Sequence, residues 1–268
     1  MRNEQSLDTI CAALAYAMGI EPPEKAAPAN PDLVAYIDRA FHGEKADRVL
    51  MYNPDAIGQW VYEKYPKLLR EARNRCELEL PLCTVMPSVT PVCFATMYTG
   101  AQPAVHGIQK YEKPVLTIDT LFDALIRAGK KPVILAQNCT SLSVIYNNRP
   151  MDYFVDSCIQ ETNARASEII LSDQYDFIVV YNGNFDTQMH HHGPESIRAL
   201  AELRTNAEQF AIFSHMVRKH WKQHNTLLGF AMDHGCHETD EHLGQHGLDM
   251  DEDMNIVHFY NAYPAHMD

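Results

Sequence analysis

Two short histidine-containing motifs near the end of the chain have the composition of metal-binding sequences. Asp233-His234-Gly235 comes directly after an apolar run, residues 226–231, that predicts a buried strand, and His246 follows twelve residues after His234. Carboxylate oxygens and imidazole nitrogens are common ligands of divalent transition metals, and open α/β sheets place their chemistry where strands end. These residues therefore indicate part of a metal site whose remaining ligands come from elsewhere in the chain.

Two further strand ends supply candidate partners. Asp55 lies just past the strand predicted over residues 48–52, and Asp186 lies just past the strand predicted over residues 176–181, with His190 four residues later. Taken alone, Asp55 is more simply explained as a turn or N-cap aspartate for the helix that follows. Its occurrence together with the other strand-end ligands favours the metal-site interpretation.

A hydroxyl completes the set of reactive side chains. Thr90 follows the extended segment 78–86 and stands at the start of a helical turn, with Pro91 near the first helical position. The unpaired N–H groups and the positive dipole of a helix start favour an alkoxide and a bound phosphoryl group. A single Thr-Pro pair more commonly marks an N-cap threonine that has no part in catalysis. Together, however, the strand ends offer six nitrogen or oxygen ligands and one hydroxyl, which suits two three-ligand sites with open positions.

The composition argues against several functional classes. A formal net charge of −13 disfavours binding to a nucleic-acid polymer, which requires clustered Lys and Arg. No apolar run is long enough to span a membrane. Seven cysteines, an odd number without CxxC spacing, favour a reducing compartment and predict a cytoplasmic protein. Twelve of the fourteen histidines lie at or after position 190, which places the unusual chemistry in the last third of the chain.

Alternating strands and helices predict an α/β fold, a three-layer sandwich whose mostly parallel central sheet is covered by helices on both faces. The predicted strands span residues 48–52, 131–136, 176–181, 226–231 and 254–260, and the predicted helices span residues 6–20, 33–41, 59–75, 117–128, 154–171 and 195–224. The length suits one catalytic domain, residues 1–268, with a helical N-terminal segment over residues 1–45. The predicted site is open, and residues 139–170 are the candidate segment for a small lid over it.

In their order along the chain, these motifs resemble those of the alkaline phosphatase superfamily, and most closely its nucleotide pyrophosphatase/phosphodiesterase and phosphonoacetate hydrolase branch. The resemblance covers roughly residues 47–258. The matching segments are Asp55, Thr90 ten residues before Gly100, Ala104-Val105-His106-Gly107-Ile108, Thr120-Leu121-Phe122-Asp123-Ala124-Leu125 through Gly129-Lys130-Lys131, Asp186-x-x-x-His190-x-x-Gly193-Pro194, Asp233-His234-Gly235 and Gly244-x-His246-Gly247. The combined spacing of the last three segments is far more specific than any one of them.

The resemblance implies a two-metal phosphohydrolase with Thr90 as its nucleophile. Each metal ion would be held by three side chains from separate motifs: Asp186, His190 and His246 for one, and Asp55, Asp233 and His234 for the other. The implied reaction is cleavage of phosphodiester, pyrophosphate or phosphonate bonds of a small phosphorylated or phosphonate substrate, through a phospho-threonine intermediate. Mixed imidazole and carboxylate ligands favour two zinc ions, and manganese is the alternative.

One position departs from the family pattern. Members of the diesterase branch generally carry an asparagine three residues after the nucleophile, where it helps to hold a phosphoryl oxygen, and here that position is Cys93. Asn53 or a backbone N–H is predicted to replace it, so Asn53 and Cys93 are the candidate substrate-binding residues. The departure leaves two alternatives, a catalytically weak or silent metal-binding member of the superfamily and a phosphomonoesterase or mutase.

The N-terminal segment resembles an element that follows the last metal histidine in relatives. There, a helix with the pattern Asp-x-x-x-Thr leads through an apolar stretch to Leu-Gly-Ile-x-x-Pro. Here residues 7–22 look similar but precede the first strand. A circularly permuted arrangement is the resulting hypothesis, and it predicts that this helix lies near the last strand and that the chain termini are close together.

Overall fold

In the computed structural model, the chain folds around a central sheet that helices cover on both faces. The structure describes residues 1–266, so residues 267 and 268 of the predicted domain 1–268 lie outside the described residues. The strands are β1 Arg48–Pro54, β2 Leu78–Cys83, β3 Pro132–Gln137, β4 Asp152–Asp156, β5 Phe177–Asn182, β6 Thr226–Phe230, β7 His237–Glu238, β8 Gly244–Gln245 and β9 Asn255–Tyr263. The helices are α1 Thr9–Ala17, α2 Pro31–Ala40, α3 Gln59–Lys64, α4 Arg70–Arg73, α5 Thr90–Thr99, α6 Pro103–His106, α7 Leu121–Arg127, α8 Ile159–Ser172, α9 Asn184–His192, α10 Ile197–His220 and α11 Asp251–Met254.

Within residues 1–266, the main sheet has seven strands in the order β2-β9-β6-β1-β5-β3-β4. Strand β9 runs antiparallel to its neighbours β2 and β6, and the pairings from β6 to β4 are parallel. Parallel strands require crossover connections, and helices supply them here. The predicted three-layer α/β architecture with a mostly parallel sheet is confirmed.

The helices form two groups, and members of both groups contact the sheet. Helices α1, α2, α5 and α7 contact one another, while α8 contacts β3, β4 and β5 and packs against the long helix α10. Strands β5 and β6 are buried along their whole length, as expected for parallel strands covered on both faces. No helix within residues 1–266 is both long and apolar enough to cross a membrane.

Three adjacent parallel strands at the centre of the sheet lead to the candidate residues. In the register of β6, β1 and β5, Tyr52 pairs with Phe230 and Pro54 pairs with Asn182. The carboxyl ends of these strands therefore meet at one edge of the sheet. Asp55 follows β1 directly, α9 follows β5, and Asp233 follows β6 after two residues.

Two predicted helices differ from the structure. The helix predicted over residues 59–75 is divided into α3 and α4, because Tyr65 precedes Pro66 and a residue before proline disfavours helical backbone. The helix predicted over residues 154–171 begins only at Ile159, because residues 152–156 form β4, paired in parallel with β3.

The first residues of the chain lie beside the last strand. The Asn3 backbone N–H donates to Asn255 Oδ1 at 2.9 Å, and the terminal amino group lies 2.7 Å from Asp251 Oδ2. These contacts lie at the amino-terminal end of β9, and the circular permutation stays a prediction. Of residues 139–170, β4 and the first part of α8 belong to the sandwich, which restricts the predicted lid to residues 139–151.

Candidate metal centre

The six predicted ligands form two groups at the carboxyl ends of the central strands, which we call the outer trio (Asp186, His190, His246) and the inner trio (Asp55, Asp233, His234). Within each trio, one potential ligand atom per residue lies within 4.8 Å of the others. The inner trio is buried, with Asp55 1% exposed and Asp233 and His234 0% exposed. The outer trio is partly exposed. The structure thus brings together side chains from three strand ends and one loop.

Local structure explains the geometry of the outer trio. Asp186 and His190 lie one turn apart on α9, so their side chains share one face of the helix. Gly244 lies against this helix, where an added Cβ would be 2.6 Å from the carbonyl oxygen of Met189. The glycine therefore lets β8 approach α9 closely, and His190 Nδ1 lies 2.9 Å from the Gly244 carbonyl oxygen.

The three histidines all direct Nε2 toward the centre, because Nδ1 of each is held by a backbone carbonyl. Nδ1 of His190, His234 and His246 lies 2.9, 2.8 and 3.1 Å from a backbone carbonyl oxygen. Because a carbonyl only accepts, Nδ1 carries the proton and donates, and the Nε2 lone pair points toward the trio. Nε2 of His190 and Nε2 of His246 then face each other at 3.1 Å, an arrangement that a cation between the two nitrogens stabilises.

The distances between ligand atoms match those of a tetrahedral metal site. Asp186 Oδ1 lies 3.3 Å from His190 Nε2 and 3.4 Å from His246 Nε2. In the inner trio, His234 Nε2 lies 3.3 Å from both Asp55 Oδ1 and Asp233 Oδ2. Zinc bonds of about 2.0–2.1 Å at tetrahedral angles separate two ligands by about 3.3–3.4 Å. The donor atoms are therefore spaced as zinc ligands are.

Each trio also contains a carboxylate oxygen that lacks a hydrogen-bond donor. Among the described residues, Asp186 Oδ1 and Asp233 Oδ2 are buried and have no hydrogen-bond partner. The other oxygen of Asp233 accepts from the Ala56 backbone N–H at 3.2 Å. Burying a carboxylate oxygen without a partner is costly. Since both unpartnered atoms are potential ligand atoms, the residues present fit a cation in each trio.

The two trios differ in electrostatics. Burial and the charge of Asp186 raise the pKa of Asp55 to about 7, and burial together with Asp55 raises the pKa of Asp233 well above its usual value. Burial lowers the pKa of His234 to about 3. Burial also opposes ionisation of Asp186, but the neighbouring imidazoles outweigh it and lower the pKa, and Asp186 in turn raises the pKa of His190. Burial and mutual repulsion thus oppose the ionisation of the two inner carboxyls, and a divalent ion would favour it.

Thr90 stands beside the inner trio. Its Oγ1 lies 3.2 Å from Asp55 Oδ2 and 3.3 Å from His234 Nε2. Helix α5 begins at Thr90, with Val89 at the N-cap, so the predicted position at a helix start is confirmed. The hydroxyl of Tyr181 donates to Asp55 Oδ2 from the neighbouring strand, a contact that the sequence did not reveal.

Neither predicted substrate-binding residue offers a group to a ligand. Asn53 is 0% exposed; its Nδ2 donates to the Ala231 carbonyl at 2.7 Å, and its Oδ1 accepts from the Tyr98 hydroxyl at 2.6 Å. Its amide connects β1 to neighbouring elements, so the predicted contact with a phosphoryl oxygen does not fit this arrangement. Cys93 is also buried, its Sγ accepts from Thr84 Oγ1 at 3.2 Å, and burial raises its pKa well above the usual value, as expected for a packed thiol.

A cavity of about 240 Å³ opens beside Thr90, Asp55 and Asp186. Its lining also includes Tyr111 and Lys113, which lie in the irregular segment between α6 and α7, and residues 139–141. These wall residues belong to none of the recognised motifs. The cavity therefore opens directly at the candidate centre.

No protein-family model matches the sequence, and no curated protein matches it. Solved structures do share its fold. Murine ectonucleotide pyrophosphatase/phosphodiesterase 5 is 16% identical over 72% of this chain with a TM-score of 0.57, and the human protein gives the same three values. Phosphonoacetate hydrolase from Sinorhizobium meliloti 1021, in complex with phosphonoformate, is 13% identical over 73% of this chain with a TM-score of 0.56.

The chain spans 59% of the length of the murine protein and 59% of the length of the bacterial hydrolase. At these identities the likeness establishes a common fold. It agrees with the family resemblance that the motifs indicated, and the sheet order and helix layers described above are consistent with it. The chain therefore has the fold of the alkaline phosphatase superfamily, in the form shared by nucleotide pyrophosphatases/phosphodiesterases and phosphonoacetate hydrolase.

Proposed function

We propose that this protein is a two-metal phosphohydrolase that cleaves phosphodiester, pyrophosphate or phosphonate bonds of small molecules. The observation that carries the proposal is the convergence of two three-ligand groups beside one hydroxyl, with an unpartnered carboxylate oxygen in each group within the described part of the chain. The names of the solved structures, a pyrophosphatase/phosphodiesterase and a phosphonate hydrolase, support the same class of reaction.

The inner trio would hold one divalent ion and the outer trio the other. The mixed nitrogen and oxygen ligands favour zinc, with manganese as the alternative. When bound, such ions act as Lewis acids that lower the pKa of a hydroxyl or water and offset the charge of phosphoryl oxygens. Three carboxylates leave two divalent ions with a net charge of about +1, which suits an anionic substrate.

Thr90 is the proposed nucleophile. Its hydroxyl lies at the start of α5, where backbone N–H groups and the helix dipole favour negative charge on the oxygen and on a nearby phosphoryl group. Attack of Oγ1 on phosphorus would form phospho-threonine and expel the leaving group. Water would then break the bond between phosphorus and Oγ1 and regenerate the hydroxyl. Asp55, oriented by Tyr181, would keep its position beside the hydroxyl through both steps.

The proposed substrate is a small phosphorylated or phosphonate compound rather than a nucleic-acid polymer or a membrane. A net charge of −13 repels polyanions, and the cavity of about 240 Å³ admits a small molecule. We also propose a cytoplasmic location, because the seven cysteines are all free thiols.

Cys93 favours a second candidate function. Its buried thiol provides no donor to a phosphoryl oxygen at the position where the diesterase branch generally has asparagine. A chain with this substitution could retain both metal ions and turn over substrate weakly or not at all. A phosphomonoesterase or mutase is the other alternative within the enzyme class.

The proposed function is tested with zinc-loaded protein and three chromogenic substrates: a phosphodiester, a phosphomonoester and a phosphonate ester. We expect turnover of the diester or phosphonate by the wild type and a loss of about 10⁴-fold in Thr90→Ala, the magnitude typical of a removed nucleophile. Thr90→Ser should retain part of the activity because it keeps a hydroxyl. Turnover of the monoester alone would favour a monoesterase, and zinc binding without any turnover would favour the silent candidate.

A pair of adjacent histidines provides a matched test of the outer trio. His191 follows His190 on α9, but it is exposed and its Nδ1 faces the Thr187 carbonyl at 2.7 Å. We expect His190→Ala to lose one of two bound zinc ions, measured by elemental analysis after gel filtration, and His191→Ala to retain both. Equal zinc content in the two variants would contradict the assignment of His190 as a ligand.

A further inference from the structure

One lysine faces the cavity beside the candidate centre without a carboxylate partner. Within residues 1–266, Lys113 is the single basic side chain in the cavity wall and forms no ion pair, although Asp55 and Asp186 lie in the same wall. The neighbouring Lys110, by contrast, pairs with Glu112 at 3.3 Å. In a chain with a net charge of −13, an ammonium that faces a cavity rather than a carboxylate is available to an anionic ligand.

Two contacts hold the Lys113 ammonium in the cavity wall. Its Nζ donates to the Cys139 carbonyl oxygen at 2.7 Å and lies 5.5 Å from the centre of the Tyr111 ring. Cys139 has a φ of +62°, an uncommon backbone conformation for a residue other than glycine and one that concentrates at functional sites. Because lysine carries three N–H donors and the carbonyl uses one, two remain for a ligand.

Thr90 and the trio carboxylates Asp55 and Asp186 line the same cavity as Lys113. A phosphoryl group at the trios would therefore place the rest of the substrate in the cavity that Lys113 lines. An ammonium with two free donors stabilises an anionic group there better than it stabilises a neutral one.

We propose that Lys113, with Tyr111 beside it, forms a subsite for a second anionic group on the substrate. This inference rests on the proposed function, because it requires a phosphoryl group at the trios. It assigns the protein to substrates that bear a carboxylate or a second phosphoryl group in addition to the phosphoryl group at the trios. Lys113 is thereby the residue that sets the preference between charged and neutral groups at that end of the substrate.

The test is calorimetric titration of zinc-loaded protein with four phosphonates of similar length. Propylphosphonate has a neutral end, 3-phosphonopropionate a carboxylate, ethane-1,2-bisphosphonate a second phosphoryl group and 3-aminopropylphosphonate a cation. We expect one or both of the anionic-ended probes to bind about tenfold more tightly than propylphosphonate, as for an added charge-assisted hydrogen bond, and the cationic probe to bind least. The tighter of the two anionic probes identifies the natural group.

Variants separate Lys113 from the general charge of the protein. Lys113→Met should bind all four probes with similar affinity, Lys113→Arg should keep the preference, and Lys110→Met, from the same segment, should behave as the wild type. Zinc content and circular dichroism confirm that each variant is folded and loaded.

The outcomes distinguish this inference from the proposed function. Equal affinity of the wild type for the neutral and the anionic probes would overturn the subsite and leave the two-metal site standing, since propylphosphonate still binds. An equal loss of preference in Lys110→Met would overturn the assignment to Lys113. Failure of every probe to bind would overturn the proposed function and the subsite with it.

Discussion

The inner and outer trios have the same number of ligands but differ in charge and burial. The outer trio sets one carboxylate between two imidazoles, and the side chains of Asp186, His190 and His246 are 20%, 29% and 7% exposed. The inner trio sets two carboxylates against one imidazole, and its side chains are at most 1% exposed. The charge of the outer carboxylate is thus compensated locally and by water, whereas the inner carboxylates lack such compensation and would gain it from the proposed cation. We therefore expect the inner trio to lower the stability of the metal-free fold more than the outer trio does.

The largest expected effect comes from neutralising one carboxylate in each trio. Asp186→Asn and Asp233→Asn should each lower activity by at least about 10³-fold, because each removes a proposed metal ligand. In metal-free protein the two substitutions should differ. Asp233→Asn replaces a buried carboxyl whose ionisation is opposed by burial and by Asp55, and it keeps an acceptor for the Ala56 N–H, so we expect the free energy of unfolding to stay constant or rise by about 1–3 kcal/mol.

Asp186→Asn should instead lower the free energy of unfolding of metal-free protein by about 1 kcal/mol, since it removes the charge that faces two imidazoles. Urea denaturation in the presence of a chelator measures both changes. Asp240→Asn, at an exposed position in the loop between the DHG and GxHG motifs, is the control and should change neither activity nor stability. Equal stability changes in the two trio variants would remove the proposed difference between the trios.

Withdrawal of zinc should destabilise the protein by the next largest amount. Zinc at about a hundred times its dissociation constant stabilises the folded state by about 2.7 kcal/mol per site, and at about a thousand times by about 4.1 kcal/mol. We expect calorimetric melting to show a higher transition temperature with zinc in the wild type, and a smaller increase in Asp233→Asn than in Asp186→Asn. An unchanged transition temperature on adding zinc would contradict metal binding at both trios.

The same comparison shows what could be predicted from the sequence. The candidate ligands directly follow apolar runs, and because β6, β1 and β5 are adjacent parallel strands, the ends of these runs meet. The four-residue spacing of Asp186 and His190 becomes one turn of α9, so both side chains share a face. Local sequence was sufficient here because strand direction alone brings the ends together.

What the sequence did not predict depends on contacts between distant segments. Strand β4 was missed because residues 152–156 are defined as a strand by pairing with β3, which local apolar spacing does not reveal. Asn53 was predicted to bind substrate, yet its side-chain amide donates a hydrogen bond to the Ala231 carbonyl oxygen. This contact arises because β1 and β6 are neighbours in the sheet. Lys113 lies in an irregular segment without a motif, and only the folded chain brings it to the cavity.

A smaller effect on the inner trio alone should follow from Tyr181→Phe. The phenol donates to Asp55 Oδ2, and residues that orient metal ligands typically contribute 10–100-fold to metal affinity. We expect zinc affinity to fall by about tenfold at one of the two sites, measured by competition with a chromophoric chelator. Tyr175→Phe, whose hydroxyl donates to Asp152 on the protein surface, is the matched control. A fall at both sites would show that the trios are not independent.

The smallest expected effect is one that both trios share. Asp253 is 0% exposed and joins the loops that follow the two candidate metal-binding motifs. Its Oδ2 accepts from the Leu248 N–H at 2.9 Å, and its Oδ1 lies 2.8 Å from His237 Nδ1. Its carbonyl oxygen accepts from the Gly235 N–H at 2.8 Å. Gly235 is adjacent to His234 in the inner trio, and Leu248 is close to His246 in the outer trio.

Asp253→Asn removes the carboxylate charge and replaces one acceptor with a donor, so His237 keeps its contact only in the tautomer whose Nδ1 accepts, while the backbone contact to Gly235 remains. We expect a loss of about 1 kcal/mol in the free energy of unfolding and a decrease of only a few-fold in zinc affinity, similar at the two sites, because the ligands themselves are untouched. Asp251→Asn, on the same helix but paired with the terminal amino group at the surface, should leave both quantities unchanged. A decrease confined to one site would mean that Asp253 supports a single loop, and the difference between the trios would then include their structural support as well as their charge.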